Sequence, residues 1–267
     1  MAFQKSRPWG KFKPPAGSVV DWGDPINQGL NNCFLFNDAG GIAAKDIARQ
    51  NNGVLTGGVT RSVGVFGNTL KFDGVNGYVS LPNAVATAAP FSISLWFKVD
   101  NVTTYETLVN INLTGADNNY WVLQTRGDVA GDPLEWQIND LGAGETAVRT
   151  STSVTAGVWM HACCVEASSI DHRVYLNAGG AASSTTSRAP AGINNTNIGV
   201  YRGTVFDGYF NGSIDNVRIY NRAISLSEIN RLYTEPFAGI VTPKLRIGRS
   251  AGAPATNTSN LLLMGVG

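Results

Sequence analysis

Charge is scarce in this 267-residue sequence: Asp, Glu, Lys and Arg make up 15% of it, 20 basic against 19 acidic. That balance leaves no field to draw nucleic acid or acidic lipid as a partner. Histidine is limited to His161 and His172, and cysteine to Cys33, Cys163 and Cys164, an odd count without zinc or redox spacing. On one strand Cys163 and Cys164 would point to opposite faces and could not ligate one metal together, so all three cysteines read as small buried residues. No apolar run is long enough to span a membrane. The opening MAFQKSRPWGKFKPP is basic but lacks a following apolar stretch, so no secretory signal is expected and folding in the cytoplasm is the expectation.

What is present is apolar residues, at 43%, and 31 glycines, enough for one large core with many tight turns. Phe91, Ile93, Leu95, Phe97 and Val99 alternate with Ser92, Ser94, Trp96 and Lys98, which predicts a strand with one buried face. Leu30 to Asp38 reads as the first strand, followed by a loop through AGGIAAKDIARQNNGVLTGG. Leu70 to Phe72 and Tyr78 to Leu81 flank the turn Asp73-Gly74-Val75-Asn76-Gly77. Further strands are predicted at Thr107 to Asn112, Tyr120 to Thr125, Leu134 to Ile138, Ala147 to Ser151, Trp159 to Glu166, Arg173 to Asn177 and Thr196 to Tyr201. Their regular spacing describes an all-β sandwich rather than alternating β and α units.

The most informative stretch is FNGSIDNVRIYNRAIS, Phe210 to Ser225. Ile214, Val217 and Ile219 cannot share one face of a regular strand, so a bulge at Asp215 and Asn216 is expected to redirect a polar side chain. Ser225 and Glu228 then form a capping box that opens a short helix striped by Leu226, Ile229, Leu232 and Tyr233. The string G-S-I-D-N-V-R-I-Y-N-R-A-I-S resembles the closing strand of laminin-G-like domains of the concanavalin A-like superfamily. LKFDGVNGYVSLP, FSISLWFKV, W-M-H at Trp159 to His161 and VYLN at Val174 to Asn177 support it. The resemblance implies a two-sheet antiparallel jelly roll over residues 30–235; the capping box adds one short C-terminal helix, and the Pro/Trp-rich opening and small-residue end read as extended arms at 1–29 and 236–267. The paired glutamates that retaining glucanases of this superfamily carry as E-x-D-x-x-E are missing, so no catalytic residue is assigned. His161 falls in the strand pattern and reads as structural. Gly248-Arg-Ser-Ala-Gly252 matches G-x-S-x-G but has neither the strand before it nor the helix after it that a nucleophile elbow needs.

Three sets of residues remain as candidates. Hard cations take about six to eight oxygens, and Asp215 on its bulge, Asp46, Asn52 and nearby carbonyls could converge if the first and last strands pair. The family resemblance also implies a structural calcium there; the alternative is that Asp215 accepts backbone hydrogen bonds at the bulge. Tyr120, Trp121, Trp136, Tyr105 and Tyr201, in strands or loops with Asn and Asp neighbours, could stack on sugar rings, or they could fill the core. Trp9, Phe12 and Trp22, among Pro8, Pro14, Pro15 and Pro25, could wrap their own domain or dock on another subunit.

The opening R-P-W, K-P-P, D-W-G-D-P, G-L and C-F-L-F-N-D resembles laminin-G-like proteins of tailed-phage structural gene clusters. It implies a non-enzymatic virion component assembled in the host cytoplasm. The expected role is a capsid decoration or cement protein whose arms bind capsid or other virion proteins in a homo-oligomeric assembly. The alternative expectation is a carbohydrate- or receptor-binding adhesin.

Overall fold

The computed structural model describes residues 12–49 and 51–243. Two antiparallel sheets face each other across a core of Phe, Leu, Ile, Val and Trp side chains. The front sheet runs in the order Gly144–Ser153, Pro133–Asp140, Tyr120–Arg126, Tyr105–Asn112, Asn195–Ile198, Tyr78–Ser80, Gly53–Thr56, Ala43–Ala44. The back sheet runs Gly179–Ser184, Asp171–Leu176, Met160–Ser168, Phe91–Val99, Asn211–Tyr220, Gly67–Asp73, Thr60–Gly64. The expected sandwich is therefore present.

The closing strand Asn211–Tyr220 organises the back sheet. One edge pairs with Phe91–Val99; the other pairs with Gly67–Asp73 from Asn211 to Ile214 and with Leu30–Phe34 from Val217 to Tyr220. The expected bulge lies between those two partners, with the register against Phe91–Val99 shifting between Asp215 and Arg218 and Asn216 at φ +46°. Asparagine tolerates this left-handed backbone better than most residues. The bulge returns Val217 and Ile219 to the core side with Ile214.

The strand Phe91–Val99 was expected to bury one face, and it buries both. A second apolar layer covers the outside of the back sheet, built from Ile26, Phe66, Phe237, Ile240 and the helix Leu226–Thr234 with its Ile229 and Leu232. Ser92 is satisfied there by the Arg222 carbonyl and the Ile224 amide, and Trp96 stacks on Tyr233 at 5.7 Å. Alternation of small polar residues thus marked a buried layer rather than a wet one. The helix starts on the expected capping box of Ser225 and Glu228.

The segment expected to be an arm folds onto this layer from Phe12 onward. Val19–Val20 pairs with Ile240–Val241, Asp24 caps the single turn Pro25–Asn27, and the Arg231 guanidinium takes both Asp24 oxygens at 2.7 and 2.6 Å. Residues 236–241 close over Arg218, whose Nη1 and Nη2 donate to the Ala238 and Pro236 carbonyls. The strand Gly53–Thr56 lies in the stretch expected to be loop, and Thr60–Gly64 and Gly179–Ser184 are strands that the sequence pattern does not predict. They are short strands at or next to sheet edges, built from glycine, serine, threonine and alanine with few apolar side chains, so they show little hydrophobic alternation.

Candidate functional site

The proposed cation ligands do not meet. Asp46 is buried and its two oxygens accept from the amides of Cys33, Ala48, Arg49 and Asn51 and from Asn32 Nδ2, at 2.8 to 3.3 Å. Asn52 Oδ1 accepts from the Asp46 amide at 3.0 Å, so this pair folds its own loop. Asp215 lies in a different cluster, where its Oδ1 accepts from Lys13 Nζ at 2.5 Å and from the Asn216 amide at 2.7 Å. Lys13 Nζ donates also to the carbonyls of Leu35, at 2.6 Å, and Asn68. Among the described residues no three His, Cys, Asp or Glu side chains group as metal ligands. Amide hydrogens surround one carboxylate and an ammonium occupies the other, so these residues do not fit calcium. Burial pushes the Asp215 carboxyl up to about 6 against the pull of Lys13, and lowers the Lys13 ammonium against the pull of Asp215.

Trp121 and Trp136 are core residues, 1% and 0% exposed, and cannot serve as sugar platforms. Both stand edge-on to Phe91, and their indole nitrogens donate to the two oxygens of buried Glu166 at 3.1 and 3.0 Å. His172 Nδ1 lies 2.8 Å from the same carboxylate and its Nε2 lies 2.8 Å from the Thr186 carbonyl. With an acceptor at each nitrogen, the ring is built to carry both protons. Burial opposes the charge, but the Glu166 hydrogen bond and negative charge outweigh it and raise the His172 pKa. Of the arm candidates, Trp9 lies outside the described residues, while Phe12 and Trp22 are 80% and 56% exposed.

Of the aromatic candidates, Tyr105, Tyr120 and Tyr201 open onto one site, and Tyr120 marks its sheet wall. It sits on the outward face of the front sheet, where a groove of about 330 Å3 is lined by Tyr105, Tyr120, Gln124, Arg126, Asp128, Gln137, Tyr201 and Asp207. Strand parity explains the set. Trp121, Leu123 and Thr125 point inward from Tyr120–Arg126, leaving Tyr120, Gln124 and Arg126 outward; Leu134, Trp136 and Ile138 point inward from Pro133–Asp140, leaving Glu135 and Gln137 outward. The same alternation, applied to the sequence, separates the two tryptophans from the groove and would have found Gln124 and Gln137.

A second wall comes from the hairpin Tyr201–Arg202 and Phe206–Asp207, which lies over the sheet on asparagine side chains. Asn110 Oδ1 accepts from the Arg202 amide at 3.1 Å, and Asn112 Nδ2 donates to the Arg202 carbonyl. Asn195 Nδ2 donates to Asn112 Oδ1 at 2.8 Å. Asp117 ties down the hairpin turn through the amide and hydroxyl of Thr204. These contacts bring Tyr201 edge-on to Tyr120 at 5.2 Å between ring centres, and Tyr105 OH donates to Asp207. No local pattern in the sequence announces this crossing, because its contacts join residues some eighty to ninety positions apart.

The floor is an ion-pair network. Glu135 accepts from Arg126 Nη1 at 2.7 Å, Arg149 Nε at 2.5 Å and Gln124 Nε2 at 2.7 Å. Arg126 also grips Asp128 with Nε and Nη2, at 2.8 and 2.9 Å, which holds the Asp128 carboxyl below its usual range. Burial first, and then the Asp207 hydrogen bond, push the Tyr105 phenol up to about 12. Burial likewise pushes Tyr120 up to about 12 and raises Tyr201. All three rings therefore stay neutral, with apolar faces and hydroxyl tips.

A family profile described as the concanavalin A-like lectin/glucanases superfamily matches residues 73–230. No curated protein sequence matches the chain. Among solved structures, domain 4 of an extracellular arabinanase from Geobacillus stearothermophilus, in complex with arabinotriose, superposes with a TM-score of 0.64 at 21% identity, over 76% of this chain and 98% of that one. The binding domain of Paraclostridial Mosquitocidal Protein 1 gives 0.63 at 18%, over 80% of this chain and 53% of that one. Trypanosoma rangeli sialidase gives 0.62 at 18%, over 82% of this chain and only 36% of that one. The fold is thus shared with binding domains and with parts of enzymes. With over half of its length matched by the family profile and both sheets in place, the chain belongs to the concanavalin A-like lectin/glucanases superfamily.

Proposed function

We propose that this protein is a non-catalytic carbohydrate-binding module that takes a neutral glycan in the groove of the front sheet. The observation that carries the reading is the groove's lining: three neutral tyrosines interleaved with amide and carboxylate side chains on a rigid floor. Sugars need this pairing, since their C–H faces stack on aromatic rings while their hydroxyls take polar partners. The likeness to an arabinanase domain solved with arabinotriose, almost all of whose length aligns, supports the same class of ligand. Charge supports a neutral one. Asp128, Asp207 and Glu135 outnumber Arg126 and Arg149, and both arginines are already engaged by carboxylates. The same engagement leaves Glu135 and Asp128 held by cations rather than free to shuttle protons.

A glycan array followed by calorimetric titration tests this. Saturable binding of a neutral oligosaccharide, weakened by Tyr105→Ala or Tyr201→Ala in a protein that still folds, is the expected result. Binding to no glycan, or binding untouched by both variants, would overturn it.

A second reading, a virion component attached to capsid or other virion proteins, rests on the exposed rings of Phe12 and Trp22. Deleting the whole segment would remove Lys13 from Asp215, so Phe12→Ser with Trp22→Ser is the cleaner variant. Loss of particle incorporation with an unchanged melting temperature is the expected result; unchanged incorporation counts against it.

A further inference from the structure

Glu135 imposes a direction on the amides beside it. With two guanidinium groups on it, this buried carboxylate presents only acceptor lone pairs, so the side chain of Gln124 must turn its NH2 toward it. The second hydrogen of that NH2 goes to Gln137 Oε1 at 3.0 Å. The chain of hydrogen bonds therefore settles both amides, and leaves Gln124 Oε1 and Gln137 Nε2 without a partner among the described residues. Gln124 is 5% exposed and Gln137 9%, both line the groove, and neither free atom is among the buried unpartnered atoms, so what little surface the two amides keep faces the ligand space.

We infer that Gln124 Oε1 and Gln137 Nε2 form a fixed acceptor and donor pair that reads two adjacent hydroxyls of a neutral sugar, with Glu135 as the positioning residue that sets its polarity. The inference rests on the groove being the glycan site and adds what the glycan must carry. One hydroxyl donates to Gln124 Oε1, and its neighbour accepts from Gln137 Nε2. A vicinal diol can do both at once because each hydroxyl is donor and acceptor. A sugar carboxylate has no hydrogen to give Gln124 and would meet Asp128 and Asp207 on the groove walls. The pair therefore selects for free vicinal hydroxyls and against acidic groups.

The experiment uses the full chain. Arabinotriose, cellotriose, mannotriose and sialyllactose are arrayed, and the tightest neutral binder is titrated into wild type, Gln137→Glu and Gln137→Met. Both variants keep the length of the side chain and remove the donor; Gln137→Glu also retains the oxygen that Gln124 faces. The expected result is a loss of about tenfold or more in affinity with either variant, the melting temperature staying near wild type. Glu135 is read separately, through the side-chain amide proton–nitrogen NMR signals. Glycan should shift the Gln137 signal and leave that of Gln124, whose hydrogens face away from the ligand; in Glu135→Gln both should move. Wild-type binding undiminished in a folded Gln137 variant, or tightest binding to sialyllactose, overturns the diol inference while leaving the groove as a glycan site. Failure of wild type to bind any of these sugars, or of a wider neutral array, overturns both.

Discussion

Lys13 Nζ lies 2.5 Å from Oδ1 of Asp215, both side chains closed off from solvent, at the bulge where the closing strand changes partners. The ammonium gathers this carboxylate and two backbone carbonyls, a set of oxygens such as a metal would need. The sequence places a lysine from the Pro-rich opening in that position, and a single chain supplies both ion and cage.

Removing Lys13 should therefore be costly. Lys13→Met leaves a buried carboxylate without its partner, for an expected loss of about 3–5 kcal/mol in denaturant unfolding. Lys13→Met with Asp215→Leu should recover most of that loss, because the charge and its partner leave together. A double variant as weak as the single one would mean that the lysine stem, not the ion pair, holds the segment.

The pH dependence of that loss has a definite sign. The folded pKa of Asp215, about 6, lies above its unfolded value, so ionising Asp215 costs stability as pH rises from near 4 through 6. Without Lys13 the cost grows. The gap between Lys13→Met and wild type should therefore be smallest near pH 4 and widen toward pH 8; a gap independent of pH would contradict the assignment of the pair.

Chelation should leave the wild type unchanged. A calcium ion bound to the native state would raise its melting temperature by mass action, and EDTA would lower it. The expected shift is nil, because amide hydrogens and an ammonium occupy the carboxylates at issue. A fall of several degrees with EDTA, reversed by calcium, would refute this.

His172 gives the protein a second titration. Its folded pKa is raised, so its stabilising charge is fully present below the unfolded value and is lost as pH rises through the folded value. Stability should decline above neutrality, and His172→Gln should flatten that decline. The indole N–H signals of Trp121 and Trp136, bonded to the same Glu166, should move with the titration; indoles that ignore it would uncouple His172 from the carboxylate.

Trp136→Ala should lower stability by about 3–5 kcal/mol, the cost of a large cavity, and leave any glycan contact of the groove without a direct loss. Fluorescence-monitored unfolding and a binding titration of the folded fraction separate the two effects.

The fold was legible at its closing strand and helix because their signals are local: a broken alternation at Asp215, and a serine three residues before a glutamate. The groove was only half legible. Tyr120 was found, but its neighbours Trp121 and Trp136 were chosen by residue type, although their parity with Leu123 and Ile138 places them inside. Tyr105 and Tyr201 stand out in the sequence as aromatics with polar neighbours, but Asp207 and the crossing that carries Tyr201 over the sheet leave no trace there, since a hairpin held on asparagine side chains has no periodic pattern. Asp46 and Asp215 are grouped by the expected pairing of the first and last strands, which is present, yet each carboxylate is claimed by hydrogen-bond donors that carry no mark in the sequence.

The carboxylate of Glu166 beneath the front sheet bears on the recognition proposed above it. Through the two indoles it bolts Tyr120–Arg126 to Pro133–Asp140 from the core side, as Glu135 does from the groove side. A floor clamped on both faces has little freedom left to surrender when a ligand arrives. Association should then resemble a key entering a rigid lock, with a small ordering penalty and an on-rate governed by diffusion and desolvation rather than by rearrangement of the strands.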